Sequence, residues 1–195
     1  MRGSERRRLH PLKVRGTTFA WGTRTYVMGI INVTPDSFSG DGIDRDVAAA
    51  VEQAKAFVEA GCDILDIGGE STRPGHTPVD VETEAARVLP VVSAIRSAVA
   101  APISIDTFKP QIAAAALDAG ADIVNCVWGA VPKIIEIAAQ RGAPLVVMHN
   151  RASPDYGGDC VLEIIASLAT SIADVRRSGV DPDRIIVDPG IGFGK

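Results

Sequence analysis

Tyr26-Val27-Met28-Gly29-Ile30-Ile31-Asn32-Val33-Thr34-Pro35-Asp36-Ser37-Phe38-Ser39 begins as an apolar run and ends among polar and turn-forming residues. The same shape recurs downstream, where Ile103-Ser104-Ile105 delivers Asp106, Ile123-Val124 delivers Asn125, and Ile185-Ile186-Val187 delivers Asp188. A short buried strand that hands a carboxylate or amide to its C-terminal end, repeated along one chain, is how a parallel α/β barrel assembles a site. The near-continuous apolar character of these runs predicts a sheet covered on both faces.

Working outward, helices fill the gaps. Val47, Val51, Ala54 and Val58 recur at helical spacing, which predicts a helix over 46–60, and Gly61 stops it. A strand at 64–67 follows, then helices over 81–98, 110–119, 132–140 and 161–177, alternating with strands at 103–105, 123–124, 144–148 and 184–188. Gly120, Gly142 and Gly179 stand where C-terminal stops are expected. Upstream, Thr18-Phe19-Ala20-Trp21 and Thr25-Tyr26-Val27-Met28 flank Gly22-Thr23-Arg24, which predicts a hairpin able to plug the bottom of a barrel. The expected fold is α/β, of the TIM (β/α)8 barrel family, with about six β/α units behind an N-terminal β-hairpin. Residues 1–24 form the tail and hairpin, and 25–195 form a single domain with no low-complexity break. A closed eight-stranded barrel takes about 250 residues. An open sheet exposes unpaired edges, so the chain is expected to be a piece of a longer polypeptide with an incomplete barrel.

Composition narrows the function classes. With 195 residues, 46% of them hydrophobic, the chain can bury a substantial core. A formal net charge of -4 excludes a general nucleic-acid or membrane-surface binder, because phosphate backbones demand a basic face. Arg2, Arg6, Arg7 and Arg8 read as a solvated tail. Cys62, Cys126 and Cys160 form no CxxC pair, so neither a disulfide framework nor a zinc knuckle is suggested. No apolar run approaches the roughly 20 residues of a membrane helix, and a cytoplasmic protein with reduced thiols is expected.

Four motifs then occur in order, each after a strand: Asn32-Val33-Thr34-Pro35-Asp36-Ser37-Phe38, Gly68-Gly69-Glu70-Ser71-Thr72-Arg73-Pro74-Gly75, Ser104-Ile105-Asp106-Thr107, and Asp188-Pro189-Gly190-Ile191-Gly192-Phe193-Gly194-Lys195. Together they resemble the dihydropteroate synthase family of pterin-binding enzymes. The resemblance implies a transferase of folate biosynthesis: p-aminobenzoate displaces diphosphate from 6-hydroxymethyl-7,8-dihydropterin diphosphate to give 7,8-dihydropteroate. By the same resemblance, Asp106, Asn125 and Asp188 bind the pterin, Thr72 touches substrate on the diphosphate side, and Arg73 is a loop cation near the anions. The resemblance also implies Asn32 as the metal ligand for Mg2+ and Phe38, Pro74 and Phe193 as the p-aminobenzoate pocket, and Met148 is expected to line the pterin face. The partners implied are these small molecules, and a homodimer of the full-length form stays open.

Duller roles compete with each assignment. Asn32 before Thr-Pro suits a turn, Asp106 suits a helix N-cap, and Asp188 before Pro189 suits a turn former. Asp66 and Glu70 are expected to be network carboxylates, and Lys109 a surface lysine. Cys126 stands where the family commonly carries Asp, and Asp41 falls one place later than the usual loop Asp. A Ser-Arg-Lys segment and an Arg-x-His pair, the family's remaining cations, are absent from these 195 residues, so this polypeptide alone is expected to be nearly inactive. The rival reading is a pterin-binding methyl-transfer module, which has no use for a diphosphate and Mg2+ loop.

Overall fold

The computed structural model describes residues 10–34, 43–70, 78–151 and 156–193. A small antiparallel ribbon, β1 (Leu12–Val14) and β2 (Thr17–Phe19), precedes the strand-helix alternation. The alternation runs β3 (Met28–Asn32), α1 (Ile43–Glu59), β4 (Ile64–Gly68), α2 (Val81–Ala98), β5 (Ile103–Asp106) and α3 (Pro110–Ala119). It continues β6 (Ile123–Cys126), α4 (Pro132–Arg141), β7 (Leu145–Met148), α5 (Cys160–Arg177), a short 3-10 turn Pro182–Arg184, and β8 (Ile185–Asp188). The six strands β3 to β8 are parallel and pair strictly in chain order. Sequential parallel strands joined through helices are the β/α barrel arrangement.

Local chemistry explains the punctuation. Asp80 caps α2 by accepting from the Thr83 backbone N–H at 2.7 Å, and Asp159 caps α5 by accepting from Val161 N–H at 2.8 Å. Pro110 and Pro132 open α3 and α4, where a missing N–H costs nothing. Gly120 closes α3 at φ 114°, a left-handed conformation that L side chains rarely adopt.

Side chains alternate across the strands. Ile31, Leu65, Ile67, Ile103, Ile105, Val124, Leu145 and Val147 pack with Val88, Val91, Val92, Ile95, Ile112 and Ile134 of the helices in one buried core. The intervening residues face the opposite side of the sheet, the barrel lumen. Its floor is a second apolar cluster, in which Ile64, Ile123 and Val146 from the strand starts meet Leu12, Val14 and Phe19 of the ribbon, with Met28 and Ile186 beside them.

The ribbon therefore plugs the bottom of the sheet, but it is not the hairpin expected around Gly22. Its turn is Arg15-Gly16, with φ of 46° and 78°, the left-handed pair that a two-residue hairpin requires. Its first strand is only Leu-Lys-Val, too short for alternation to mark it in sequence. The segment read as the second hairpin strand instead returns the chain to the sheet. Trp21 and Tyr26 pack on Phe19 with ring centroids 5.5 and 5.1 Å away, and Tyr26 accepts from the Ala20 N–H at 2.8 Å.

Candidate active site

Strand register places five of the ten expected site residues on one face and at one end. Asn32 pairs with Gly68, Gly68 with Asp106, and Asp106 with Asn125, so these four lie in a row across the C-terminal ends of β3 to β6. Met148 pairs with Asp188 at the C-terminal ends of β7 and β8. Two residues separate Asp66 from Gly68, Ser104 from Asp106, and Ile123 from Asn125, so each pair shares the lumen face. The polar mouth stands directly above the apolar floor.

Burial makes this mouth electrostatically unusual. Asp66 is 4% exposed and Ser104 fully buried. Asn125 Nδ2 donates to Asp66 Oδ2 at 3.1 Å. Asp66 Oδ1, Ser104 Oγ and Asp106 Oδ1 are buried without a hydrogen-bond partner among the described residues. Burial pushes the Asp66 carboxyl above its ordinary value. Asp106 is held well above the usual carboxylate range, first by burial and then by the negative charge of Asp66, Glu84 and Glu70. Buried polar atoms in proteins are normally satisfied, so unsatisfied ones clustered on one face point to a polar ligand.

Asp188 is half-buried, and its Oδ1 accepts from the Gly190 N–H at 2.7 Å. The turn role is thus present, and a carboxylate retains further acceptor sites beyond that one bond. Phe193 follows in a tight turn, its N–H donating to Gly190 O at 3.0 Å, and its side chain is partly buried. Met148 is buried at the end of β7. Asp106 does not cap α3; that position is Lys109, which makes no side-chain cap bond. Phe38, Thr72, Arg73 and Pro74 lie outside the described residues.

Lys109 is not a surface lysine. Its side chain is 13% exposed, and Nζ donates to Glu70 and to Glu84 Oε2, the latter at 2.5 Å. Glu84 is buried on α2, where its Oε1 also accepts from Thr107 Oγ1 at 2.8 Å. This network ties the exit of β4 to α2 and to the exit of β5, beside Asp106. Gly69 belongs to the same junction: a Cβ there would meet Val88 Cγ1 at 2.5 Å, and its carbonyl accepts from Arg87 Nη1 at 3.0 Å. Sequence reading missed Glu84, whose only mark is a carboxylate on the inward stripe of a helix.

Cys126 points away from the mouth into the helix-side core, where burial raises its thiol to about 11. It is an inert apolar filler there. Among the described residues no group of three or more His, Cys, Asp or Glu is placed to hold a metal ion. Asn32 is exposed at the strand end, and its amide oxygen is of the type that could serve as one ligand of Mg2+.

Residues 28–195 match the family model described as pterin binding enzyme. The dihydropteroate synthase of Synechocystis sp. is 46% identical over 194 residues, covering 95% of this chain and 67% of the relative. The chain belongs to the dihydropteroate synthases of the pterin-binding enzyme family. The Bacillus subtilis dihydropteroate synthase is 42% identical, with 94% of this chain and 65% of the relative covered. Among solved structures, Xanthomonas albilineans dihydropteroate synthase with 4-aminobenzoic acid superposes at TM-score 0.87 and 43% identity, over 95% of this chain and 68% of that one. The same organism's dihydropteroate synthase in complex with 7,8-dihydropteroate gives TM-score 0.79 at 41% identity, over 89% and 63%. The chain thus spans about two thirds of the length of such synthases, and the methyl-transfer alternative is not favoured by them.

Proposed function

We propose that the lumen mouth binds the pterin of 6-hydroxymethyl-7,8-dihydropterin diphosphate and orients its methylene carbon for attack by the amine of p-aminobenzoate. The carrying observation is the row of Asp106 and Asn125, with unsatisfied buried oxygens, facing the same lumen as Asp188. A pterin presents ring N–H and amino donors along one edge, and carboxylates that accept two such groups bind and orient it strongly. A carboxylate that is ionised when the ring is bound also favours the positive charge that develops on it as diphosphate leaves.

The aniline nitrogen is already nucleophilic, so placement rather than deprotonation is the protein's task. Phe193, with Phe38 and Pro74, would form the pocket for p-aminobenzoate, and Met148 would line the pterin face. Thr72 and Arg73 would serve the diphosphate. Mg2+, held through Asn32 and substrate oxygens, would neutralise the leaving group's charge. Cytoplasmic location and a homodimer of the full-length form complete this reading; among the described residues no helix is long and apolar enough to cross a membrane.

Calorimetric titration with the pterin diphosphate and Mg2+ tests it. Asp188→Asn is expected to weaken binding about 10-fold or more, the scale of a hydrogen bond to a charged group. Unchanged affinity would remove Asp188 from the site.

A further inference from the structure

We propose that Asp66 sets the hydrogen-bonding polarity of Asn125 and thereby decides which heterocycle the mouth accepts: a pterin over its isosteric lumazine, in which a carbonyl replaces the 2-amino group. The inference rests on the pterin-binding reading and assigns a specificity role to a residue that need not touch the ligand.

An asparagine side chain is nearly symmetric in shape, and only its neighbours decide which end is donor and which is acceptor. Asn125 is half-buried at the mouth, and its Nδ2 donates to Asp66 Oδ2 at 3.1 Å. Asp66 Oδ2 is the acceptor of that bond. The amide nitrogen must therefore turn toward Asp66, which leaves the carbonyl oxygen of Asn125 for the ligand. Asp106, the register partner of Asn125, brings a carboxyl with a buried unpartnered oxygen to the same row, a second acceptor once it is ionised. The result is a wall of acceptors, and such a wall selects donors.

Asp66 is well placed to hold that polarity. It is 4% exposed and sits on β4 beside Ser104, one lumen layer below the Asp106–Asn125 row. Ser104 and Asn125 both favour the charged form of Asp66, against the burial that raises its value, while Asp66 Oδ1 meets no partner at hydrogen-bond geometry among the described residues. A pterin meets the acceptor wall with amino and ring N–H donors. Lumazine meets it with a carbonyl, acceptor against acceptor, and unpaired buried polar atoms are what make such sites selective. A neutral amide at position 66 could donate as well as accept, and Asn125 would then be free to turn over.

The test is titration of 6-hydroxymethylpterin and 6-hydroxymethyllumazine into the wild-type chain, Asp66→Asn and Asp66→Ser at neutral pH, where both ligands keep their ring N–H groups. The wild type is expected to prefer the pterin by at least about tenfold, and both variants to lose about tenfold or more of that preference. Asp66→Ser supplies a second neutral donor-acceptor group should Asp66→Asn fail to fold. A general packing role would weaken both ligands together and leave their ratio unmoved. A wild type that binds neither compound contradicts the pterin reading itself; a wild type that prefers pterin, with a folded variant keeping the same preference, overturns the role of Asp66.

Discussion

The floor and the mouth of the lumen are built by the same strands, two residues apart, and they are opposite in character. Ile64, Ile123 and Val146 close the floor against Leu12, Val14 and Phe19, all buried and apolar. Asp66, Asn125 and Met148 follow on the same faces, with Ser104 and Asp106 between, and this layer carries buried carboxylates and unpaired oxygens. One step of strand, roughly 6.6 Å, separates a layer that holds the fold together from one that strains it. The difference shows where stability is given up: the mouth buries polar atoms that no protein group among the described residues pairs, which is unfavourable for folding and useful for gripping a polar ring.

The contrast can be broken at several points. The largest effect is expected from Lys109→Ala, which removes the cation from buried Glu84 and one partner from Glu70 and should cost about 3–5 kcal/mol in denaturant unfolding; a loss below about 1 kcal/mol would mean the network is solvated. In the floor, Ile123→Ala should cost about 2–5 kcal/mol through lost burial and a residual cavity. A floor substitution that also abolished pterin binding at unchanged folding would blur the two layers.

Asp106→Asn should act in the other direction, stabilising the chain by about 1–3 kcal/mol at neutral pH while weakening the pterin. Because burial raises the folded-state value of Asp106, the folded chain keeps a proton that an unfolded Asp, with a pKa near 3.9, has already lost. Folded stability therefore falls as pH rises from about 4 toward that raised value, and the loss is complete above it. The Asn variant should show a shallower decline in a pH series of unfolding curves; an identical slope would assign the effect elsewhere. The smallest change is expected away from both layers, where Asp159→Ala removes the α5 cap and should cost about 1 kcal/mol of thermal stability with pterin affinity unaltered.

Much of this arrangement is legible in the residues themselves. Pro110 and Gly120 bracket α3 in sequence as they do in space, and the apolar runs ending at Asp106 and Asn125 are strands because their burial on both faces leaves no alternative periodicity. Strand alternation alone also sends Cys126 outward once Asn125 is inward. The hairpin resisted reading, because a three-residue strand has too little alternation to outweigh the stronger turn signal at Gly22. Lys109 resisted for another reason. Its partners lie 39 and 25 residues away on different elements, and no local pattern reports such a meeting.

A crystal structure of this chain with 6-hydroxymethylpterin tests the placement of the ligand most directly. The pterin edge is expected within hydrogen-bonding distance, about 3.2 Å or less, of Asp106, Asn125 and Asp188 above the apolar floor. A pterin ring bound outside the lumen, or bound there with those three side chains untouched, would contradict the assignment.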